Sequence, residues 1–481
     1  MVTLTELLAH LPPEPDEASL FGAIAQEVAA SKRKLVVVDD DPTGTQTVHD
    51  VELLTTWNTN MLAEALRGGR LFYVLTNTRS MPEHDAVRLN RALARQLVDA
   101  SRETQIDFVV ASRSDSTLRG HYPAEIFALE RGFMSTASGP FDGHLVVPAF
   151  FEGGRYTIGD MHYVATPTAT SDTLLPASET PFAQDAVFGY KAAYLPAWIE
   201  EKSGGYWKAE QVLSIGLELI RQGGPDAVAA RLQMVAGGMP VVINAAGYGD
   251  LAVVVLGLLR AEAAGKRFLY RTAASFVRLR GAVEVKPLLK AEEVLGNVQK
   301  VETGGLVVVG SYVPDSSKQL ENLLALPQVI GIELDVARVI RGAAEAEEVS
   351  REAGQQLEAA IQARRVGVVY TSRTVVTSAS RVENLAIGKN VSHALIAVLH
   401  HVKSRPRFII AKGGITSHEV AQNGLGATRA WVLGQLSPGV PVWRLESGPQ
   451  SRFEDVPYVV FPGNVGSPES LMQAVKLLSR E

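Results

Sequence analysis

Residues 35–47 read Leu-Val-Val-Val-Asp-Asp-Asp-Pro-Thr-Gly-Thr-Gln-Thr. The four apolar, mostly β-branched residues at the start predict a buried strand of a parallel sheet. Three carboxylates follow at the carboxyl end of this strand, and Pro42 and Gly44 then permit a turn. Adjacent carboxylates repel one another and are costly near a core, unless a metal, a phosphate-bearing ligand or a raised pKa offsets the cost. The stretch therefore predicts a ligand site; the alternative is a solvated acidic loop that ends a strand.

The composition is that of a globular protein and excludes several other classes. A chain of 481 residues is too long for one core, so two or three domains are expected. The absence of cysteine excludes disulfides and thiolate metal sites, and a net charge of −6 gives no general attraction to nucleic acid or an anionic membrane. Residues 1–20 contain acids but no Lys or Arg, unlike a secretory signal, and the apolar segment 251–259 is too short to span a bilayer. We expect a cytoplasmic protein.

Two further strands are predicted soon after the first, and both end in polar residues. Residues 71–75 precede Thr76–Ser80, and residues 106–111 precede Ser112–Gly120. Strands that alternate with helices at this spacing predict a parallel α/β sheet. Because ligands of such sheets bind outside the carboxyl ends of the strands, the polar segments are expected to meet in one site.

The polar segment 112–120 carries the most chemistry. The guanidiniums of Arg113 and Arg119 are suited to binding a carboxylate or a phosphate, and Asp115 is suited to orienting a hydroxyl or accepting its proton. The hydroxyl side chains of the segment are Ser114, Ser116 and Thr117. A second interpretation, compatible with the first, is that an Asp or Ser of this segment caps the helix that begins near Pro123.

A fourth strand, residues 145–150, leads into a Gly-rich loop that carries Arg155. Arg155 either reaches the site or lies in a surface loop. Residues 165–210 then hold several aromatics in an irregular pattern, which predicts a long excursion over the site.

A second α/β unit is predicted from Gly305 onward. Its strands are predicted at residues 306–309, 330–334, 366–370 and 408–411. Gly413 and Gly414 follow the last of these and precede a helix, which lets the backbone approach a phosphate but is also common as a bare turn. The predicted fold class is α/β, with two domains that each contain a mainly parallel sheet flanked by helices. The predicted bounds are 1–285 for the first domain, 286–303 for a linker and 304–481 for the second domain.

These residues resemble the motifs of the four-carbon acid sugar kinase family, whose members phosphorylate tetronic acids such as threonate, erythronate or their 3-oxo forms. The family's D-D-x-T-G motif stands here as Asp40–Gly44, its T-x-S-R-like segment as Thr76–Arg79, and its D-S-T-L-R-G motif is unchanged at Asp115–Gly120. In the second half, the family's G-G-[DE]-T motif appears as Gly413–Thr416 and its K-x-G-x-F-G ending as Phe461–Gly466. The resemblance covers nearly the whole chain.

The resemblance implies a sugar-acid site in the N-terminal domain and a nucleotide site in the C-terminal domain. We expect the substrate-binding residues to be Arg79, Ser114, Ser116, Thr117 and Arg119, and the catalytic residues to be Asp40, Asp41 and Asp115. Arg79 and Arg119 would hold the carboxylate of the acid, and Asp40 or Asp41 would take the proton of the attacking hydroxyl. The expected ATP-binding residues are Ser311, Gly413, Gly414, Ile415, Thr416 and Gly463. Mg²⁺ is expected to bridge the ATP phosphates, and no protein ligand is assigned to it.

The sequence departs from the family pattern at two positions of the nucleotide site. Ile415 stands in place of an acid and Phe461 in place of a lysine, and either change weakens a contact to metal or phosphate. The first motif is also extended by residues 45–50, unlike the commonest members.

The expected function is an ATP-dependent kinase that phosphorylates a hydroxyl of a four-carbon sugar acid and closes its two domains over the substrates. One alternative is a haloacid-dehalogenase-like phosphatase, with Asp39 as nucleophile and Asp41 as general acid. Another is a non-catalytic sensor that binds a sugar acid on a kinase scaffold. The expected partners are small molecules, neither nucleic acid nor a membrane, and a homodimer is the assembly expected on base rates.

Overall fold

Runs of β-branched and aromatic residues form the strands, and amphipathic segments between them form the helices. The computed structural model describes residues 2–134, 140–166, 173–296, 301–310, 314–373, 381–446, 451–453, 455–463 and 465–479, with residues 381–386 described by their backbone alone. The strands are β1 Val2–Thr3, β2 Lys34–Asp39, β3 Val51–Leu54, β4 Leu71–Leu75, β5 Phe108–Arg113, β6 Gly143–Val147, β7 Arg155–Ile158, β8 Met161–Ala165, β9 Thr173–Pro176, β10 Leu213–Ile215, β11 Met239–Ile243, β12 Phe268–Thr272, β13 Leu306–Val309, β14 Val329–Leu334, β15 Val366–Thr371, β16 Ile409–Lys412, β17 Arg429–Ser437, β18 Val440–Leu445 and β19 Pro457–Phe461. The helices are α1 Leu4–Leu8, α2 Glu17–Ser31, α3 Thr59–Arg67, α4 Glu83–Thr104, α5 Ala124–Phe133, α6 Leu195–Lys202, α7 Gly224–Gln233, α8 Tyr248–Ala263, α9 Ala274–Arg280, α10 Ala291–Leu295, α11 Pro314–Leu324, α12 Val336–Val339, α13 Ala343–Gln362, α14 Arg381–His400, α15 Gly414–Glu419 and α16 Ser470–Ser479.

The first compact unit comprises residues 1–48 and 57–285. Its main sheet has the order β10-β11-β6-β12-β5-β2-β4, and every pair in it is parallel. The apolar side chains 35–38 of β2 are at most 3% exposed because β4 and β5 flank this strand. Asp39 pairs in register with Leu75 of β4 and Arg113 of β5, so the loops after these three strands start at the same edge.

A small antiparallel sheet of order β1-β9-β8-β7 completes the first unit. The predicted irregular excursion at residues 165–210 thus differs from the structure, in which part of it forms β9 and α6. The difference arises because β9 is only four residues long, too short for a clear alternation of apolar and polar residues.

The second compact unit comprises residues 49–56 and 286–481. Strands β14, β15, β13, β16 and β19 form its parallel part, and β18, β17 and β3 continue the sheet with antiparallel pairs. The core of this unit includes Val307, Phe408, Val459 and Leu471, which are fully buried.

The segment predicted as a linker, 286–303, differs from the structure over its first part. It contains α10, and Leu289, Val294 and Leu295 are buried in the core of the second unit. The many charged residues of the segment predicted that it would be exposed, but its apolar side chains pack into the core of the second unit. Residues 49–56 also belong to the second unit, because β3 pairs with β17 there.

The predicted α/β fold of two domains with mainly parallel sheets is confirmed. Within the part of the chain that the structure describes, no helix is both long and apolar enough to cross a membrane.

Candidate active site

The loops after β2, β4 and β5 bring together the acids and arginines that the sequence predicted to meet. Arg79 donates from Nε to Asp40 Oδ2 at 3.2 Å and from Nη2 to Asp40 Oδ1 at 2.5 Å. Its Nη1 lies 3.5 Å from Asp41 Oδ2 and 3.8 Å from Asp115 Oδ1. One guanidinium therefore contacts three carboxylates from two loops. We call these residues, with Arg113 and Arg119, the acid–arginine cluster.

The three consecutive acids have different surroundings. Burial raises the pKa of Asp40, although Arg79 and Arg113 oppose the shift. Burial alone would also raise the pKa of Asp41, but Arg79, Arg113 and hydrogen bonds from Thr43 outweigh it and leave that pKa lowered. Asp41 Oδ1 accepts from Thr43 N at 2.9 Å and from Thr43 Oγ1 at 2.5 Å. Asp41 is thus ionised, and 17% of its side chain is exposed.

Asp39 is fully buried behind its two neighbours. Burial raises the pKa of its carboxyl group to about 8, against the opposing charge of Arg113, whose Nη1 lies 3.4 Å from Asp39 Oδ1. The Asp39 Oδ2 atom is buried and has no hydrogen-bond partner among the described residues. A Cβ atom at Gly44 would collide with this carboxyl group, so the glycine of the turn leaves room for it.

The loop after β5 holds Asp115 and Arg119 against each other. Arg119 Nε donates to Asp115 Oδ2 at 2.7 Å, and Thr117 Oγ1 donates to the same oxygen. Burial opposes ionisation of Asp115, but Arg119, Arg79 and these hydrogen bonds hold its pKa well below the usual range. Asp115 is therefore a fixed anion rather than a strong base.

Two serines of this loop present free hydroxyl groups. The backbone is held by Ser114 N, which donates to Thr272 O at 2.8 Å, and by Ser116 O, which lies 2.7 Å from His162 Nε2. Neither the Ser114 nor the Ser116 hydroxyl has a hydrogen bond to the residues described in this structure. These hydroxyls are available to a ligand, whereas the Thr117 hydroxyl is used by Asp115.

Glu125 belongs to the same region and was not predicted as a site residue. It lies in the first turn of α5, 5% exposed, and accepts from Thr78 Oγ1 at 2.5 Å and Asn90 Nδ2 at 3.1 Å. Burial and the nearby charge of Asp40 raise its pKa to about 7. The only signal in the sequence is its position just after the polar segment, which also fits an ordinary helix start.

In the second unit, Lys412 ends β16 and lies fully buried beside the last strand. It pairs in register with Phe461 of β19, and its Nζ lies 4.5 Å from the centroid of the Phe461 ring. Lys412 Nζ donates to Pro462 O at 2.5 Å and to Gly463 O at 3.2 Å. Burial lowers its pKa to about 7. Lys412 thus lies beside Phe461, the position at which the family pattern has a lysine. In the sequence, the position of Lys412 at the end of an apolar strand was the signal that could have indicated it.

The glycines predicted to bind nucleotide lie at this same edge. Gly413 adopts φ +112 and its N–H donates to Phe461 O at 2.8 Å, which ties the loop after β16 to β19. Gly463 O also accepts from Ser316 Oγ at 3.0 Å. Ile415 is 59% exposed.

The carboxyl end of β13 meets the loop after β16. A Cβ atom at Gly310 would collide with the Thr416 side chain, so these two segments are adjacent. Ser311 lies outside the described residues. Gly413, Gly414, Thr416 and Gly463 are thus brought to one edge of the sheet of the second unit.

Comparisons with known proteins agree with this division. A family model described as a sugar-binding N-terminal domain matches residues 35–280, and one described as a nucleotide-binding C-terminal domain matches residues 306–471. The D-threonate kinase of Salmonella typhimurium strain LT2 is 23% identical over 457 residues, which cover 92% of this chain and 97% of that protein.

Two solved structures share the fold. One, from Salmonella typhimurium LT2 and described as a tRNA synthase, has a TM-score of 0.62 at 17% identity and covers 92% of this chain and 98% of its own. The other, from Haemophilus influenzae, has a TM-score of 0.57 at 18% identity and covers 92% of this chain and 100% of its own. Because the two family models match most of the chain in the expected order, this chain belongs to the four-carbon acid sugar kinase family.

Proposed function

We propose that this chain is an ATP-dependent kinase that transfers a phosphoryl group to a hydroxyl of a four-carbon sugar acid. The observation that carries the proposal is the acid–arginine cluster, which lies beside two free serine hydroxyls at the carboxyl edge of the sheet. A small polyhydroxylated anion needs such a mixture of cations, acceptors and donors. The similarity to a D-threonate kinase supports the choice of a four-carbon acid.

On the acceptor side, the hydroxyls of Ser114 and Ser116 would bond the hydroxyls of the sugar acid. Asp115, which stays ionised, would fix the orientation of another hydroxyl by accepting its hydrogen bond. Thr117 and Arg119 would act by holding Asp115 in place. These contacts position the acceptor, which is the main requirement of phosphoryl transfer.

We assign the proton acceptor to Asp41. Its pKa is lowered and its side chain is more exposed than that of Asp39 or Asp40, whereas Asp40 has both oxygens held by Arg79. As the hydroxyl oxygen attacks the terminal phosphorus of ATP, its proton would pass to Asp41 and ADP would leave. Before the transfer, the charge of Arg79 would keep Asp41 ionised and ready to accept this proton.

On the donor side, the Gly413–Gly414 loop and Gly463 would bind the ATP phosphates. Lys412 would be the buried lysine beside these phosphates. A neutral lysine would gain its proton as the phosphates approach, because their negative charge stabilises the ammonium form. Since one unit would bind the acceptor and the other the donor, the proposal also requires domain closure during turnover.

The residues present fit a magnesium ion that is carried by the nucleotide. Among the described residues, no group of three or more His, Asp or Glu side chains forms a metal cage. Mg²⁺ at phosphate-transfer sites is held by phosphates, water and one or two carboxylates, and Asp315, whose charge acts on Lys412, would offer such a carboxylate. When bound, the ion would neutralise charge on the transferring phosphate.

The geometry of Asp39 argues against the phosphatase alternative. A nucleophilic carboxylate must be ionised and accessible, but Asp39 is 0% exposed and its pKa is raised to about 8.

Thermal unfolding with ligands tests the proposal first. The full-length protein is melted with Mg-ATP alone and with D- and L-threonate and D- and L-erythronate. A specific ligand at a hundredfold excess over Kd adds roughly 2.7 kcal/mol of stability, which raises the midpoint by mass action. We expect a shift with Mg-ATP, a further shift with one acid, and ADP formation with that pair. An acid that binds without any effect of ATP would support the sensor instead.

A further inference from the structure

The arginines around the acid–arginine cluster differ in whether a carboxylate neutralises them. Those with ion pairs to one or more carboxylates are Arg79, Arg113 and Arg119. Arg155 forms no ion pair with any described residue, and its buried Nε has no hydrogen-bond partner there. The two arginines that the sequence predicted to hold the substrate carboxylate, Arg79 and Arg119, are therefore already occupied by acids of the protein.

Arg155 nevertheless lies beside the cluster. It begins β7, where its N–H donates to Phe150 O at 2.9 Å. Its guanidinium carbon lies 5.9 Å from the centroid of the Phe182 ring, and that of Arg119 lies 5.0 Å from the same centroid. Arg119 in turn contacts Asp115. A free cation and a neutralised one thus share one aromatic ring at the edge of the site.

The Arg155 side chain is partly exposed, but its buried Nε has no hydrogen-bond partner among the described residues, which is costly without a ligand. Burial lowers the pKa of Arg155, the positive charge of Arg119 lowers it further, and Asp115 offsets the shift only in part. Taking a guanidinium out of water without a partner is unfavourable. An anion placed between Arg155 and the serine hydroxyls would relieve this cost.

We propose that Arg155 binds the carboxylate of the sugar acid and thereby selects acids over neutral sugars, an inference that rests on the proposed function. The planar guanidinium matches a carboxylate with two parallel hydrogen bonds. Asp115 and the two serines would then bind the hydroxyl end of the same molecule. A four-carbon chain is thereby held by its two chemically different ends.

Arg271 is another arginine near the cluster, and its buried Nε and Nη1 have no hydrogen-bond partner among the described residues. Its Nη2 donates to Arg119 O at 3.3 Å, it is 1% exposed, and its guanidinium lies 5.2 Å from the Trp198 ring centroid. Because Arg271 is more fully enclosed than the partly exposed Arg155, we assign the contact with the carboxylate to Arg155 and only a contribution of positive charge to Arg271.

The test compares an acid with its uncharged counterpart. Full-length wild type, R155M and R155K are melted with the tetronic acid that shifts wild type most, and with the matching tetritol, in the absence of ATP. Met keeps an apolar stem against Phe182 without charge, and Lys keeps the charge without the planar fork. The control is R88M, because Arg88 lies on α4 with its side chain 78% exposed and, among the described residues, its one ion pair is with Asp85.

We expect R155M to weaken acid binding by about 100-fold and tetritol binding by less than about threefold, because losing one partner of a buried charge pair is costly. R155K is expected to recover part of the acid affinity, and R88M to behave as wild type. An unchanged preference for the acid in R155M would overturn the inference, as would a wild type that binds no acid. Acid binding that depends on Arg155 in a protein that forms no ADP would refute the kinase proposal alone.

Discussion

Three identical side chains in a row have three different electrostatic states. Asp39 is held largely neutral by burial, Asp40 is held by Arg79 despite burial, and Asp41 is ionised. The difference follows from depth and from hydrogen bonding, because each further residue along the loop is more exposed to solvent and Asp41 also accepts two hydrogen bonds from Thr43. The sequence predicted that three adjacent acids need compensation, but it could not say which of them would keep a proton.

Replacing Asp39 by Asn is expected to flatten the pH dependence of stability. The pKa of Asp39 is about 8 in the folded protein and near 3.8 in the unfolded chain, so the folded state holds a proton that the unfolded chain has released between these values. The free energy of unfolding contributed by this group is therefore fully present at low pH and falls as the pH rises from about 4 to about 8. Urea denaturation of wild type and D39N across this range measures the difference. Equal slopes for the two proteins would contradict the neutral state.

Replacing Asp41 by Asn is expected to remove most kinase activity while the fold survives. Loss of a general base lowers kcat by about 10²- to 10⁴-fold. D39N is the matched control, because it makes the same chemical change two residues earlier. If the protein is a kinase, D39N should retain kinase activity. Phosphatase activity in wild type that is lost in D39N and lowered in D41N, with no ADP formed, would instead favour the phosphatase. Coupled ADP assays and a phosphatase assay on both variants check this.

The buried ammonium of Lys412 is expected to make nucleotide binding depend on pH. Because its pKa is lowered to about 7, raising the pH from 6 to 8 removes the charge that would meet the phosphates. The Kd for Mg-ATP should therefore increase over this range in wild type, and K412M should bind weakly at both pH values. The sign for stability is the reverse: the unfolded chain holds the proton from about pH 7 to 10.5, so the free energy of unfolding rises with pH in that window. A pH-independent Kd in wild type would refute the role of Lys412. Isothermal titration calorimetry at several pH values measures it.

At the scale of elements, long apolar runs were predictable and short or mixed ones were not. β2, β4 and β13 coincide with predicted strands because their side chains are buried on both faces. β12 carries Arg271 and Thr272 at its end, and β17 mixes buried residues with partly or fully exposed ones, so neither is a simple apolar run.

The residues of the candidate site also fall into those that sequence patterns predicted and those that they did not. The acids and arginines that follow predicted strands lie together because parallel strands end at one edge. Glu125 and Lys412 could not be assigned from the sequence, because their character depends on burial by residues distant in the chain. The sequence did not distinguish whether Arg155 reaches the site or lies in a surface loop. Its position against the Phe182 ring, which Arg119 also contacts, places it beside the cluster.

The turn after β2 is expected to tolerate no side chain at Gly44. A Cβ atom there would meet the Asp39 carboxyl group, and overpacking of this kind costs about 1–3 kcal/mol. G22A is the matched control, because a Cβ atom at Gly22 in α2 meets nothing within 4 Å. Denaturant unfolding of G44A and G22A should show a loss for the first and no loss for the second. A G44A protein as stable as wild type would show that the turn can move away.

At the scale of the whole molecule, the division into two units does not follow the order of the chain. The chain leaves the first unit after Val48, contributes β3 to the second unit, and returns at Trp57. In the second unit β3 pairs with β17, and Thr55 Oγ1 donates to Ala427 O at 2.6 Å. The acidic loop of residues 39–47 is therefore followed directly by a strand of the nucleotide-binding unit.

A fragment of residues 286–481 is expected to be poorly soluble on its own. Without β3, one edge of β17 loses its pairing partner, and unpaired edges promote aggregation. A fragment in which residues 49–56 are joined through a flexible linker ahead of residue 286 should be more soluble. Size-exclusion chromatography of the two fragments measures the difference, and equal monomer yields would contradict it.

The excursion of β3 also limits how such genes can be recombined. A chimaera that joins the sugar-binding half of one family member to the nucleotide-binding half of another at a single crossover near residue 285 would combine β3 of one parent with β17 of the other. To exchange the whole second unit, a chimaera would have to take two segments from the same parent, residues 49–56 and 286–481. A single crossover therefore does not separate the sugar-binding part from the nucleotide-binding part. The eight residues 49–56 have to come from the same parent as residues 286–481, because β3 pairs with β17.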